Sequence, residues 1–259
     1  MKNECLIFYV KLPKEGHVKT RLAKDIGSKH AVNLYRHFIL DLVETLKKLS
    51  QDVIISYSPQ DAEPFFRSWL GKMFDSRLGK ISDPRLQDKL SSSQEKNLAI
   101  FGDNRFHYVP QSDGDLGVRM RHSFEQAFRN GYKRAVLIGS DSPDLPKEIL
   151  EEAFVQLKSL DAVIGPSTDG GYWLIGFNSK GFCPSVFEQI SWSTQTVFEE
   201  TMKKLSQTKS SVALLPEWID IDNYDALFRW YESRKYLSKN GSYTLSYMFV
   251  QSKLLKVQP

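Results

Sequence analysis

The chain has 259 residues, with 35 Lys plus Arg against 31 Asp plus Glu and a formal net charge of +4. Its 41% hydrophobic, 12% aromatic and 25% charged residues are ordinary globular composition and exclude a disordered, collagen-like or disulfide-scaffold chain. The mild positive charge suits a phosphate-bearing small molecule better than a nucleic-acid groove, which calls for a concentrated basic stripe.

Residues 5–10 (CLIFYV) form a short apolar run, the pattern of a strand covered on both faces. Helical spacing over 29–49 aligns Ala31, Leu34, Tyr35, Phe38, Leu42, Leu46 and Leu49. Residues 52–57 read as a strand and 61–70 as a short helix. The polar stretch 71–105 exceeds normal connections and reads as an insertion or lid. Residues 106–111 are a strand. A helix follows with Met120, Phe124, Ala127 and Phe128 on one face, closed by Asn130-Gly131. Residues 134–139 (RAVLIG) are the clearest buried strand, and Pro146 opens the next helix. Strands are expected at 161–165, 171–177, 211–215 and 218–221, with helices at 194–205 and 223–237. This alternation predicts an α/β sandwich around a mostly parallel mixed sheet, with one domain over 1–237. The tail, 238–259, carries enough apolar residues to pack on its own body or on a second copy, as a homodimer would.

Two cysteines make neither a disulfide framework nor a Cys-rich zinc site. The N-terminus has Glu4 and a run too short for a secretory signal, and no segment has the ~20 apolar residues of a membrane span. A cytoplasmic protein is expected.

In open α/β sheets the ligand crevice lies beyond the carboxyl ends of the strands. Four segments there carry chemistry. The first is KLPKEGHVKTRLA, 11–23, a Pro13- and Gly16-containing turn with Lys11, Lys14, Lys19 and Arg21. A cationic, glycine-containing turn leading into a helix can hold phosphate, although a solvated basic turn reads the same way. It lacks the Walker A and G-x-G-x-x-G spacings. The second is GSDSPDLP, 139–146. Asp144 suits a helix cap there, whereas Asp141, at the end of a buried strand, suits a Mg²⁺ or Mn²⁺ ligand. The third is PSTDGGYW, 166–173, whose Gly170 and Gly171 allow close backbone approach and whose Tyr172 and Trp173 offer flat faces to a sugar or base. In the fourth, Asp220 and Asp222 flank Ile221, and strand alternation puts both carboxylates on one side. His30 and His37 lack a zinc pattern, and Ser140 and Ser142 lack a nucleophile elbow.

The segments KLPKEGHVKTRLA, QSDGDLGVRM, GSDSPDLP, GPSTDGGYWLIG, WSTQTVFEET and DIDNYDAL, in this order over about residues 5–235, resemble the prokaryotic nucleotide-diphospho-sugar transferase family of the glycosyltransferase-A fold. Broader relatives include molybdenum-cofactor guanylyltransferases. The resemblance implies a three-layer sandwich. It implies Lys19 and Arg21 on the donor phosphates, and Gly114, Asp115, Leu116 and Gly117 along base and ribose. Asp141 would be a metal ligand with Asp222 as the second, and Asp169, Gly170, Gly171 and Tyr172 would face the acceptor or the sugar. Relatives more often carry Thr-Pro after the second Asp of the last segment, where this chain has Asn223-Tyr224. The expected activity is metal-dependent transfer of a sugar from a nucleoside diphosphate donor to a small acceptor, with Asp141 and Asp169 as catalytic candidates. The alternative is nucleotidyl transfer from a nucleoside triphosphate to a phosphorylated acceptor. A third reading, a nucleotide-binding protein without catalysis, is opposed by the presence of Asp141 and Arg21. Neither a nucleic acid nor a membrane is expected as a partner.

Overall fold

The computed structural model describes residues 3–74, 104–236 and 242–251. Most of the expected 71–105 insertion, and the tail apart from 242–251, lie outside the described residues. Strand β1 (Glu4–Lys11) runs parallel to β2 (Asp52–Ser58), and β3 (Phe106–Pro110) lies parallel on the far side of β2. On its other edge β1 pairs in parallel with β4 (Arg134–Ile138). Beyond β4 come β5 (Ala162–Pro166), β6 (Tyr172–Asn178) and β7 (Val212–Leu214). Strand β6 is antiparallel to both β4 and β5, and β7 is parallel to β5. The order is β3-β2-β1-β4-β6-β5-β7.

The apolar runs explain the layering. Along β1, Leu6, Phe8 and Val10 enter one core, while Cys5, Ile7 and Tyr9 enter the core on the opposite face. A period of 2 buries a continuous run completely only when both faces are covered. The first face is covered by α1 (Thr20–Ile26), α2 (Ser28–Leu46), α3 (Glu63–Phe74), α5 (Lys147–Gln156) and α7 (Tyr224–Arg234). The second is covered by α4 (Leu116–Arg129), through Met120, Phe124 and Ala127, and by α6 (Val197–Gln207), through Leu205. Phe124 stacks edge-on against Phe177 of β6, with ring centroids 5.1 Å apart. Burying each such ring contributes up to about 3 kcal/mol.

Three sequence expectations are corrected. The helix of α3 runs through Phe74, so the irregular stretch does not begin at 71. Pro146 occupies the N-cap of α5 rather than its first turn. Residues 218–221 are a loop and not a strand, held by a single bridge between Trp218 and Ser167. Alternating apolar residues were read there as a strand, but β7 ends at Leu214 and Pro216 follows it.

The tail forms α8 (Tyr243–Val250), docked on α2 of its own chain. The buried Asp41 carboxylate accepts from Ser242 Oγ at 3.0 Å, Tyr243 N at 2.6 Å and Thr244 N at 2.9 Å. Leu245 and Met248 are buried by this contact, while Phe249 and Val250 are exposed. His37 stacks on Tyr247 at 4.7 Å, and His30 Nδ1 hydrogen-bonds the Tyr247 hydroxyl at 2.8 Å, so both histidines have packing roles. No helix among the described residues is long and apolar enough to cross a membrane.

Candidate active site

The parallel strands β1 and β4 end side by side, and the segment after β4 reaches the loop 219–222. Ile221 N donates to the Asp141 carbonyl at 2.9 Å, and Ser142 Oγ donates to the Ile219 carbonyl at 3.0 Å. The Ile221 side chain is fully buried in the first core. That anchor sets its neighbours Asp220 and Asp222 beside Asp141.

Lys19 lies at the centre. Its backbone is left-handed, at φ 49° and ψ 41°, which is uncommon outside glycine. Its side chain runs inward and is 2% exposed. The ammonium lies 2.7 Å from Asp141 Oδ1 and 3.9 Å from Asp222 Oδ1, and donates to the Ile221 carbonyl at 2.5 Å. Burial opposes its charge, but Asp141, Asp220 and Asp222 outweigh burial and hold its pKa above the usual lysine value. The Lys19 ammonium, expected to face the donor phosphates, is placed against the carboxylates and the Ile221 carbonyl. Arg21, with a side chain 64% exposed, stays on the open side and pairs with Asp222 Oδ2 at 3.1 Å.

The rest of the loop is set by conformation. Gly16 has φ 76° in the turn, Pro13 is buried, and the Lys11 side chain is exposed at the end of β1. Lys11 N donates to the Tyr35 hydroxyl at 2.9 Å, which also bonds Ser140 Oγ at 2.9 Å.

Asp220 is a residue that the sequence reading left out of its metal pair. Burial first, and the Asp141 charge next, push its pKa up to about 8, with Lys19 pulling the other way. Its Oδ1 is buried without a hydrogen-bond partner among the described residues. The D-I-D alternation already puts it on one side with Asp222, although only Asp222 was named as a ligand.

The glycine-rich loop lies on the β5–β6 side. Asp169 is exposed, and its Oδ1 accepts from the Ser167 hydroxyl and from Gly171 N at 3.0 Å, which fixes the turn. Its charge adds to the upward push on Asp220, so this loop adjoins the carboxylate cluster. Gly170 has φ 88°, and a Cβ there would lie 2.1 Å from the Gln195 carbonyl oxygen, so the loop after Trp192 requires glycine. Tyr172 corrects a second expectation. Its ring packs on the second core and its hydroxyl is buried, while Trp173 packs on the first core. Neighbouring strand residues face opposite sides, and both sides are covered here.

In the 111–120 segment most of the candidates serve the fold. Asp115 caps α4 by accepting from Val118 N at 2.9 Å, and Leu116 packs on the second core. Gly117 is buried where a Cβ would lie 2.5 Å from the Phe187 carbonyl oxygen. Gly114, at φ 111°, and Asp115 are exposed. Buried Gln111 was not anticipated: it donates to the Ser56 carbonyl at 2.9 Å and accepts from Arg119 Nη1 at 3.0 Å, which fixes Arg119 near the strand ends. Asp144 does not cap α5; it accepts from Trp218 Nε1 at 3.0 Å and pairs with Arg234. Among the described residues, no three His, Cys, Asp or Glu side chains form a ready-made metal-holding group.

A family model described as an uncharacterized protein conserved in bacteria (DUF2064) matches residues 81–194. An inferred nucleotide-diphospho-sugar transferase from Desulfovibrio desulfuricans G20, known by its crystal structure, is 36% identical, with 99% of this chain and 98% of that one covered and a TM-score of 0.79. The chain belongs to the nucleotide-diphospho-sugar transferase family. The family's α/β fold extends to 4-diphosphocytidyl-2C-methyl-D-erythritol synthase from Anaerococcus prevotii DSM 20548, at 12% identity, 90% and 97% coverage and a TM-score of 0.50. No curated protein matches the chain. As a member of this transferase family the chain is an enzyme.

Proposed function

We propose that the enzyme transfers a sugar from a nucleoside diphosphate donor to a small hydroxylic acceptor with the help of Mg²⁺ or Mn²⁺. The observation that carries this reading is the group Asp141, Asp220 and Asp222 around Lys19, beside the exposed Asp169 in its glycine loop. Asp141 and Asp222 approach one buried ammonium, Asp220 lies in the same loop as Asp222, and its Oδ1 has no hydrogen-bond partner among the described residues. That donor set is all oxygen, which fits a hard divalent cation completing its shell with substrate phosphates. Asp141 and Asp222 would hold the ion, which when bound would neutralise the leaving diphosphate.

The chain's own residues supply the rest. Arg21 projects from the open side of the same cluster, where its planar fork suits phosphate oxygens. Exposed Lys11, Lys14 and the Gly16 turn flank the donor, and exposed Gly114 and Asp115 border the base and ribose. Gly170 and Gly171 shape the turn that carries Asp169 on the acceptor side. Asp169, its turn held through Oδ1, acts as general base on the acceptor hydroxyl.

The test measures what leaves. Purified enzyme is incubated with Mn²⁺ or Mg²⁺, nucleotide sugars and candidate acceptors, and nucleoside diphosphate release is followed. Metal-dependent release tied to an acceptor is expected. Pyrophosphate release from a nucleoside triphosphate, tied to a phosphorylated acceptor, would assign nucleotidyl transfer instead.

A further inference from the structure

The Lys19 side chain is buried and its ammonium is committed within the cluster. Its flanking residues Val18 and Leu22 are buried in the first core, and the Phe38 ring lies 5.7 Å from the ammonium on the inner side. Two of its three N–H donors are committed to Asp141 Oδ1 and the Ile221 carbonyl, with Asp222 Oδ1 nearby at 3.9 Å. To reach a phosphate the ammonium would have to leave two partners, one of them a carboxylate that would lose its counter-charge. The left-handed backbone at Lys19 aims the stem at the 219–222 loop. Arg21, two residues on, is the cation left facing outward.

We infer that Lys19 is the resident counter-ion of the carboxylate cluster, and that it competes with the divalent cation for Asp141 rather than binding donor phosphate. This rests on the metal-dependent reading above. The ammonium joins the Asp141 and Asp222 loops in the ligand-free enzyme, filling the role of a bridging cation. A dication arriving at Asp141 meets a unit charge already bonded to that carboxylate. Repulsion at such range, in the intermediate dielectric of a partly exposed site, weakens ion binding by about tenfold or more. The site is thereby kept from holding metal tightly until the donor's diphosphate adds negative charge.

The experiment titrates Mn²⁺ into nucleotide-free enzyme and reads free Mn²⁺ by electron paramagnetic resonance. Lys19→Met is expected to bind Mn²⁺ about tenfold or more tighter than wild type. Its thermal midpoint should fall without metal and recover with it. Because Lys19→Met leaves the Asp141 carboxylate without its counter-charge, it is also made in Asp220→Asn, which removes a buried ionisable carboxyl from the cluster, and compared with Asp220→Asn alone. The double variant should again bind Mn²⁺ more tightly than its parent. Metal-free binding of a nucleoside diphosphate should be unchanged by Lys19→Met. Equal or weaker Mn²⁺ binding in both Lys19 variants than in their parents would overturn the inference while leaving metal dependence standing. A large loss of metal-free diphosphate affinity would overturn it in favour of a phosphate ligand. No Mn²⁺ binding by any of the proteins, even with nucleoside diphosphate present, would overturn the metal-dependent reading itself.

Discussion

Replacing Asp41 by alanine removes the one carboxylate on α2 that accepts from Ser242 Oγ, Tyr243 N and Thr244 N. Helix α8 has 8 residues, too few to persist in water without a partner. A lost cap costs about 0.5–2 kcal/mol. Loosening Leu245 and Met248, now 7% and 2% exposed, adds a fraction of the roughly 1.5–3 kcal/mol that each side chain can contribute by burial. Together these give an expected loss of about 2–4 kcal/mol at neutral pH. Urea unfolding measures the loss, and amide exchange over 243–250 should accelerate before the sheet opens. The effect carries a pH signature. Burial pushes the Asp41 pKa from 3.8 up to about 6, against its hydrogen bonds. A carboxyl with a raised folded pKa adds stability that is fully present below about pH 4 and is lost as pH rises through about 6. The gap between wild type and Asp41→Ala should therefore widen as pH falls from about 7 to about 4. A loss under about 0.5 kcal/mol, or a gap that narrows over that range, would refute this account of how the tail is held.

Asp169→Asn keeps an oxygen for Ser167 and Gly171, so the turn should survive while turnover drops about 10²–10⁴-fold if the residue is the general base; unchanged kcat would remove it from that role. Gly170→Ala should cost about 2–4 kcal/mol, because it combines a left-handed backbone with a backbone collision, whereas Gly16→Ala, at φ 76° with open space around it, should cost about 1 kcal/mol; thermal or urea unfolding of the two variants compares them. Asp144 and Arg234 should show a coupling energy of about 1 kcal/mol or more in a double-mutant cycle, and a value near zero would show that the ion pair does not stabilise the fold. Arg21→Lys should weaken nucleoside diphosphate binding despite keeping its charge; an unchanged dissociation constant for both Arg21→Lys and Arg21→Ala would make the 11–23 loop a solvated turn.

Much of the fold was legible from local pattern. The runs CLIFYV and RAVLI are long enough and apolar enough to require cover on both faces, and β1 and β4 have it. Helix faces such as Met120, Phe124 and Ala127 follow from a period that residues impose on their near neighbours. The position of Asp141 just after a strand was readable for the same reason, whereas the need for glycine at 170 comes from the backbone of Gln195 in another loop. Pairings across the chain were not. Lys19 was one of several cations in a basic loop, and its inward turn depends on a carbonyl 202 residues away. Asp144 looked like a helix cap until Arg234, 90 residues on, took its carboxylate. Tyr172 looked available to a ligand because it follows the glycine loop at the start of β6, although the apolar run YWLIGF itself calls for cover on both faces. Spacing along the sequence reports which side a residue faces, because backbone geometry sets that residue by residue. Which charge meets which, and which aromatic stays open to the crevice, is set by the packing of distant segments, where burial and counter-charge choose among partners that look equivalent in the sequence.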